Sequence, residues 1–164
     1  MKNLGFIVLW VCLSIPVAAQ NEVFRESSSL QGIEEFGIVV NIEKPSDLEH
    51  DELSAPVIRN SIADKLKDLD VRLIDDEELR NSDKYPILYV HVNIMQAAKQ
   101  LYPYSIELNF YQPVKLILQY DLQTTATTWN SGLVGLVSGD LIHQISEEAV
   151  YASTLFKDAF ERVN

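Results

Sequence analysis

Apolar residues at strand and helix spacing organise the first half of the chain. The run FGIVVNI from Phe36 to Ile42 is rich in β-branched residues and is typical of a buried strand. Ser54 is a suitable helix N-cap, with Pro56 in the first turn. A second strand, VRLID, follows at 71–75, and a short acidic helix or turn follows it. The order of strand, helix and strand favours a right-handed crossover that makes the two strands parallel. The helix between the strands carries an apolar stripe made of Val57, Ile58, Ile62, Leu66 and Leu69.

Alternating apolar and polar residues then predict an antiparallel hairpin with strands at 85–95 and 105–120 and a turn near 98–103. Centring the turn near residue 100 makes one face apolar and the other polar, as a sheet with one covered face requires. On the apolar face the expected pairs are Val90 with Phe110, Val92 with Leu108, and Ile94 with Ile106. On the polar face they are Tyr89 with Tyr111, His91 with Asn109, and Asn93 with Glu107.

Pro113 indicates a bulge or an edge segment in the second strand of this hairpin. Beyond it, even-numbered positions are expected to continue the apolar face. These positions are Val114, Leu116, Leu118 and Tyr120.

A threonine-rich fifth strand is predicted at 124–132, and a long helix from about Asp140 to Arg162. Trp129 is expected in the core, with the open face of the sheet as the alternative. The full order is strand, helix, strand, three-strand meander and helix. It predicts an α+β (α/β) two-layer sandwich, in which two main helices cover the apolar face of a mixed five-stranded sheet. The final helix presents the stripe Leu141, Ile145, Ala149, Ala152, Phe156, Ala159, Phe160 and Val163.

The glycines between Gly132 and Gly139 raise the question of a phosphate-binding loop. Their spacing matches neither G-x-x-x-x-G-K-[ST] nor G-x-G-x-x-G, and the stretch contains no lysine. Asp140 would also repel phosphate. We therefore expect Gly132 and Gly135 to let the chain turn at the end of the sheet.

The N-terminus has the layout of a secretory signal peptide at 1–19, with Lys2, an apolar run and small residues before Gln20. A retained membrane anchor and a lipoprotein modified at Cys12 are the less favoured alternatives. The expected organisation is a signal peptide, a polar leader at 20–34 and a single α/β domain at 35–164. The location predicted from it is periplasmic or secreted, without membrane insertion after signal removal.

Composition narrows the classes of partner and cofactor. Cys12 is the only cysteine, so the mature chain would have no disulfide and no thiolate metal site. Removing Lys2 leaves 12 basic residues against 24 acidic ones, a net charge of −12. This charge argues against nucleic-acid binding. The three histidines show no metal spacing, so no metal or cofactor is expected.

The non-core face of the hairpin is the strongest candidate surface. It combines tyrosines with a histidine and a carboxylate, which suits protein docking and, as an alternative, acid–base chemistry. An ordinary solvated sheet face is the simpler interpretation. Its residues are Tyr89, His91, Asn93, Glu107, Asn109 and Tyr111. Two further tyrosines, Tyr102 and Tyr104, are predicted at the hairpin tip, where they either pack back on the sheet or form a contact site.

The assembled pattern resembles an uncharacterised family of exported bacterial α/β proteins. The segments that carry the resemblance are GIVV (37–40), VRL (71–73), PILYV (86–90) and TTWNSG (127–132) with Gly135. The layout is also similar to small periplasmic modules such as the N-terminal domain of TolB and the lipoprotein activators of cell-wall synthases. The resemblance implies a binding protein of the bacterial envelope, with no catalytic residues to carry over.

The predicted function is therefore an exported, non-enzymatic binding or accessory domain that acts on another envelope protein. A small-ligand binder or hydrolase using His91, Glu107 and Asn109 is the alternative. A structural domain without a partner is the third interpretation, and the oligomeric state stays open.

Overall fold

The computed structural model describes residues 27–82 and 84–164. The predicted signal peptide at 1–19 and the first part of the predicted leader, residues 20–26, lie outside these residues, as does the side chain of Tyr120. From Ser27 onward the chain already contributes to the domain. Leu30 is fully buried, and its carbonyl accepts a hydrogen bond of 3.0 Å from the Asn164 side chain.

From Glu35 onward, the described residues form five strands and three helices in the predicted order. Strand β1 spans Glu35–Glu43, helix α1 Ala55–Leu66, strand β2 Arg72–Ile74 and helix α2 Asp76–Arg80. Strand β3 spans Ile87–Ile94, β4 Leu101–Leu116 and β5 Gln119–Ser138. A 3-10 turn at Gly139–Leu141 leads into helix α3, Gln144–Glu161.

The strands form one mixed sheet in the order β2-β1-β3-β4-β5. Strand β1 runs parallel to both β2 and β3, while β3–β4 and β4–β5 are antiparallel. The predicted α+β sandwich is therefore confirmed, including the parallel crossover from β1 to β2 through α1.

Helices α1 and α3 cover one face of the sheet and enclose the core. Phe156 of α3 is fully buried, and its ring centroid lies 5.4 Å from Phe36, 5.2 Å from Phe110 and 5.3 Å from Trp129. These partners belong to β1, β4 and β5, so one aromatic cluster joins both halves of the sheet. Trp129 is 5% exposed, which confirms its predicted place in the core.

The register of the β3–β4 hairpin differs from the prediction by two residues. The structure pairs Val90 with Leu108 and His91 with Glu107. The loop has three residues centred on Lys99, because Ala97 N–H donates to Leu101 O at 3.0 Å and Gln100 takes a φ of 59°. Side chains alternate with a period of two, so this shift exchanged partners but kept every residue on its predicted face.

The second half of β4 departs from the prediction. Beyond Tyr111, β4 pairs with β5 alone, and residues 112–126 form a two-stranded arm that extends past β3. Leu116 is 38% exposed and Leu118 94% exposed, so the predicted continuation of the apolar face is wrong at these positions. The ladder shifts between Phe110 and Tyr111 and again between Lys115 and Leu116, close to the position where Pro113 suggested a bulge.

The predicted turn at Gly132 and Gly135 is also wrong, because β5 continues to Ser138. Gly135 lies directly opposite Tyr104, whose ring occupies the space that a Cβ at position 135 would take. A Cβ on Gly132 would lie 2.8 Å from the Ile106 carbonyl oxygen. Both glycines allow close contact inside a strand, since each lacks a side chain.

Candidate functional site

The sheet face opposite α1 and α3 carries most of the predicted site residues, and we call it the open face. Odd-numbered positions of β3 and β4 point to it, because the even-numbered positions are buried under the helices. Its members include Tyr89, His91, Asn93, Glu107, Asn109 and Tyr111. The structure brings these six predicted residues together on two adjacent strands.

His91 lies near the middle of the open face. In the observed register Glu107 is directly opposite on β4 and Asn41 is directly opposite on β1. The Nε2 atom of His91 lies 3.4 Å from a carboxylate oxygen of Glu43, without a hydrogen bond of acceptable geometry. Nε2 is itself shielded from solvent, while the Glu43 side chain is 62% exposed. The Glu43 carboxylate therefore lies beside the imidazole, and Glu107 occupies the facing position on β4.

Aromatic rings line the next positions of the open face. The Tyr89 ring lies 6.0 Å from Tyr111 in an edge-to-face arrangement and 6.1 Å from the His91 ring. All three residues are partly exposed. Such a cluster offers a rigid contact area with polar atoms at its rim, which is the composition enriched in protein interfaces.

Tyr102 and Tyr104 lie elsewhere. Both belong to β4 rather than to the hairpin tip, and their side chains face the helices and pack against the core. Burial, together with the charge of Glu148, raises the pKa of Tyr104. The tyrosines thus pack back on the sheet, as one of the two sequence interpretations expected. They cannot share a surface with Tyr89 and Tyr111.

Four clefts among the described residues lie away from His91. One of about 470 Å³ runs between α1 and α3, past Val57, Ser61, His143 and Val150. One of about 340 Å³ lies between the chain end and the loop after α1, and one of about 430 Å³ lies beside the arm. The smallest, about 230 Å³, lies where α1 meets β1. None of the four is lined by His91, Glu107 or Asn109.

Charged groups surround the β2 side of the sheet. Arg72 contacts Glu35 at 2.6 Å and Glu78 at 3.0 Å, and Tyr85 donates a hydrogen bond of 2.6 Å to Glu78. The hydrogen bonds from Arg72 and then Tyr85 lower the pKa of Glu78, and the hydrogen bond to Glu78 raises the pKa of Tyr85. On β1, Arg59 Nε donates to the Ile38 carbonyl at 3.0 Å. This arrangement ties β1, β2 and α2 together at the edge of the sheet.

Two features of the site escaped the sequence analysis. Glu43 and Asn41 flank His91 because β1 is the parallel neighbour of β3, and no sequence pattern indicated that order. The predicted turn includes the exposed apolar residues Val134 and Leu136, although the apolar spacing from Leu133 to Val137 is compatible with a strand. A continuous β-pattern across both glycines was the missing signal.

Comparisons with known proteins give a distant structural likeness. No family model matches the chain, and no curated protein matches it. Among solved structures, the chain is similar to a PelC dodecamer from Paraburkholderia phytofirmans, at 10% identity and a TM-score of 0.43. The likeness covers 79% of this chain and 90% of that chain.

The residues that the structure describes contain no helix that is long and apolar enough to cross a membrane. They also contain no group of three or more His, Cys, Asp or Glu side chains arranged to hold a metal ion.

Proposed function

We propose that this chain is an exported binding or accessory domain, periplasmic or secreted, that docks another envelope protein on its open face without catalysing a reaction. The proposal includes membership of the exported α/β family that the sequence resembles. Its partner contacts centre on Tyr89 and Tyr111, with His91 and Asn109 beside them.

The aromatic cluster on an uncovered sheet face is the observation that carries the proposal. Tyr89, Tyr111 and His91 are held in contact by neighbouring strands, so their geometry is fixed before any partner binds. Tyrosines lose little side-chain entropy on binding and provide both apolar area and a hydroxyl group. Glu107 and Asn109 add polar contacts at the rim, which is the arrangement of a docking surface.

A small-ligand binder or a hydrolase is the second candidate, because the Glu43 carboxylate lies 3.4 Å from the His91 ring and Glu107 faces His91 on β4. Catalysis or small-molecule binding would favour a walled site that excludes water. His91, Glu107 and Asn109 lie on the open face and line none of the four clefts described above, which favours docking over ligand binding.

The test places a photoreactive amino acid at position 107 and cross-links intact source cells, followed by mass spectrometry of the captured protein. We expect Tyr89→Ala combined with Tyr111→Ala to reduce capture about tenfold or more, as is common for central aromatic contacts. Tyr151→Ala is the matched control. Tyr151 is 64% exposed on α3, on the opposite side of the sheet, and its loss should leave capture unchanged.

Far-UV circular dichroism and thermal unfolding of each variant separate lost binding from lost folding. Equal capture by the double variant and by the parent would contradict the docking role of the open face. Specific binding of a small molecule that is lost in His91→Ala, with no protein captured, would establish the second candidate instead.

A further inference from the structure

Within residues 27–82 and 84–164, β5 is an outer strand of the sheet, and no strand pairs with its far side. Strand β5 pairs with β4 along one side, and Ser29 Oγ donates to the Thr128 carbonyl at 2.9 Å near the middle of the strand. From Trp129 to Ser138, the other side of the strand has no backbone hydrogen-bond partner among the described residues. A free edge is a template for pairing with a further strand.

This edge lacks the residues that natural sheets use to prevent such pairing. Charged side chains and prolines usually protect an edge strand. The sequence from Leu122 to Ser138 contains no Asp, Glu, Lys, Arg or Pro. It is the longest stretch without a charged residue in the part of the chain that the structure describes.

Exposed apolar side chains accompany the free edge. Val134 is 84% exposed and Leu136 60% exposed, and both point to the open face. Leu136 lies opposite Pro103, and Met95 N–H donates to the Pro103 carbonyl at 2.9 Å from the other side. Met95 is 60% exposed, so an apolar row crosses this end of the sheet and finishes at the edge.

Charge indicates which partner this edge accepts. The chain has a formal net charge of −11, so two copies repel each other over most of their surfaces. A like-charged copy approaches most easily along the outer strand of the sheet whose residues from Leu122 to Ser138 carry no charge. A basic partner protein would instead favour the acidic surfaces elsewhere on the molecule.

We propose that two copies of this chain pair through their β5 edges, antiparallel around a twofold axis near Val134, and form one continuous sheet. If the unpaired segment from Trp129 to Ser138 pairs with the same segment of the second copy, the twofold axis passes through its midpoint, next to Val134. A twofold axis perpendicular to the sheet keeps α1 and α3 of both copies on one side. It also sets the two open faces side by side, so that the dimer presents a doubled docking surface.

The opposite edge of the sheet argues against head-to-tail pairing. There the Ile38 carbonyl is occupied by Arg59, which also contacts Asp76 at 3.0 Å, and Arg72 forms its ion pairs at β2. Pairing β5 with that edge would displace these groups. The twofold arrangement brings two uncharged edges together and is the commonest symmetry of homo-oligomers.

The first experiment measures the mass of the full chain by analytical ultracentrifugation from about 1 to about 100 μM, a range typical of weak to moderate affinities. We expect a dimer whose dissociation constant rises about tenfold or more in Val134→Lys, because two lysines would lie close together across the axis. Val57→Lys is the matched control, since Val57 is 45% exposed on α1 and should leave the dimer intact. Because each copy is negatively charged, an added lysine at position 134 lowers the overall repulsion between copies. A weaker dimer in Val134→Lys would therefore come from the contact at the β5 edge and not from net charge.

The second experiment locates the contact. In a Cys12→Ser background, single cysteines replace Asn130, Val134 or Leu136, and a short thiol–thiol cross-linker is added. Cross-linked dimers should form most readily with Val134→Cys and should be absent with Val57→Cys.

A monomer throughout the concentration range, an unchanged dimer in Val134→Lys, or cross-linking at position 57 in place of the edge would each overturn the proposal. The proposed docking function has a separate test, because Tyr89→Ala with Tyr111→Ala leaves the β5 edge unaltered. Either proposal can therefore fail while the other stands.

Discussion

The two outer strands of the sheet, β2 and β5, differ in length, in charge and in what surrounds them. Strand β2 has 3 residues, and β1 beside it extends beyond β2 along the same side. Arg72 and Arg59 bring ion pairs and a hydrogen bond to that side. Strand β5 has 20 residues, and no charged side chain follows Asp121 along it.

This contrast shows how one small domain treats its edges differently. Charged groups on the β2 side satisfy backbone atoms and discourage a second strand from pairing there. The β5 side combines a free backbone with exposed valine and leucine, which is costly for a chain that stays alone. Because of this difference, a further strand can be added to the sheet at β5 but is disfavoured at β2.

The largest expected effect comes from breaking the cluster that joins the two sides. Phe156→Ala removes the ring that contacts Phe36 of β1, Phe110 of β4 and Trp129 of β5. A buried Phe→Ala change of this kind lowers the free energy of unfolding by about 3–5 kcal/mol. Urea denaturation followed by Trp129 fluorescence measures it. Leu155→Ala, next to it and 39% exposed, should change stability by about 0.5 kcal/mol or less. Equal effects of the two changes would contradict the assignment of Phe156 to the core.

A smaller effect is expected from opening the protected edge. Arg59→Met removes the hydrogen bond to Ile38 and the ion pair with Asp76 while keeping most of the apolar stem. The loss should be about 1 kcal/mol in chemical denaturation, because the Ile38 carbonyl loses its partner at a partly exposed site.

The same variant sharpens the comparison between the edges. With the Ile38 carbonyl exposed on the β1 side, species larger than a dimer should appear in analytical ultracentrifugation. Arg80→Met, on the exposed side of α2, removes the same charge and serves as the control. An Arg59→Met protein with unchanged mass and stability would show that this arginine does not protect the edge.

The sequence predicted the arrangement of layers well, because burial imposes a period of two on strands and 3.6 on helices. Alternation at Val90, Val92 and Ile94 placed the open face correctly even though the register was wrong. A register error of two residues leaves each side chain on the same face of the sheet. The exact cross-strand pairs, by contrast, depend on the length of the loop between β3 and β4. Gln100, a non-glycine residue with positive φ, gave no turn signal in the sequence.

The parts that failed depend on contacts between distant residues. Gly135 suggests a turn when only its neighbours are considered, but in the sheet it accommodates the ring of Tyr104. The surroundings of His91 include Glu43 only because β1 lies between β2 and β3. Local propensity cannot provide either fact. The candidate site was therefore predicted as a face of the sheet, and its neighbours and the free edge were found only in the fold.

The smallest expected effect concerns the charge network on the β2 side. Hydrogen bonds from Arg72 and Tyr85 hold the pKa of Glu78 below its ordinary value of 4.5 in the folded chain. A carboxylate with a depressed folded pKa stabilises the fold above its unfolded pKa, and this contribution disappears as the pH falls through the folded pKa. Glu78→Gln should therefore lower Tm slightly at neutral pH, with a difference from the parent that shrinks below about pH 4. Glu77→Gln removes the same charge from α2 without touching the Arg72 network, and provides the comparison. A Tm difference for Glu78→Gln that stays constant down to about pH 3 would mean that the ionised form of Glu78 is not what holds this edge.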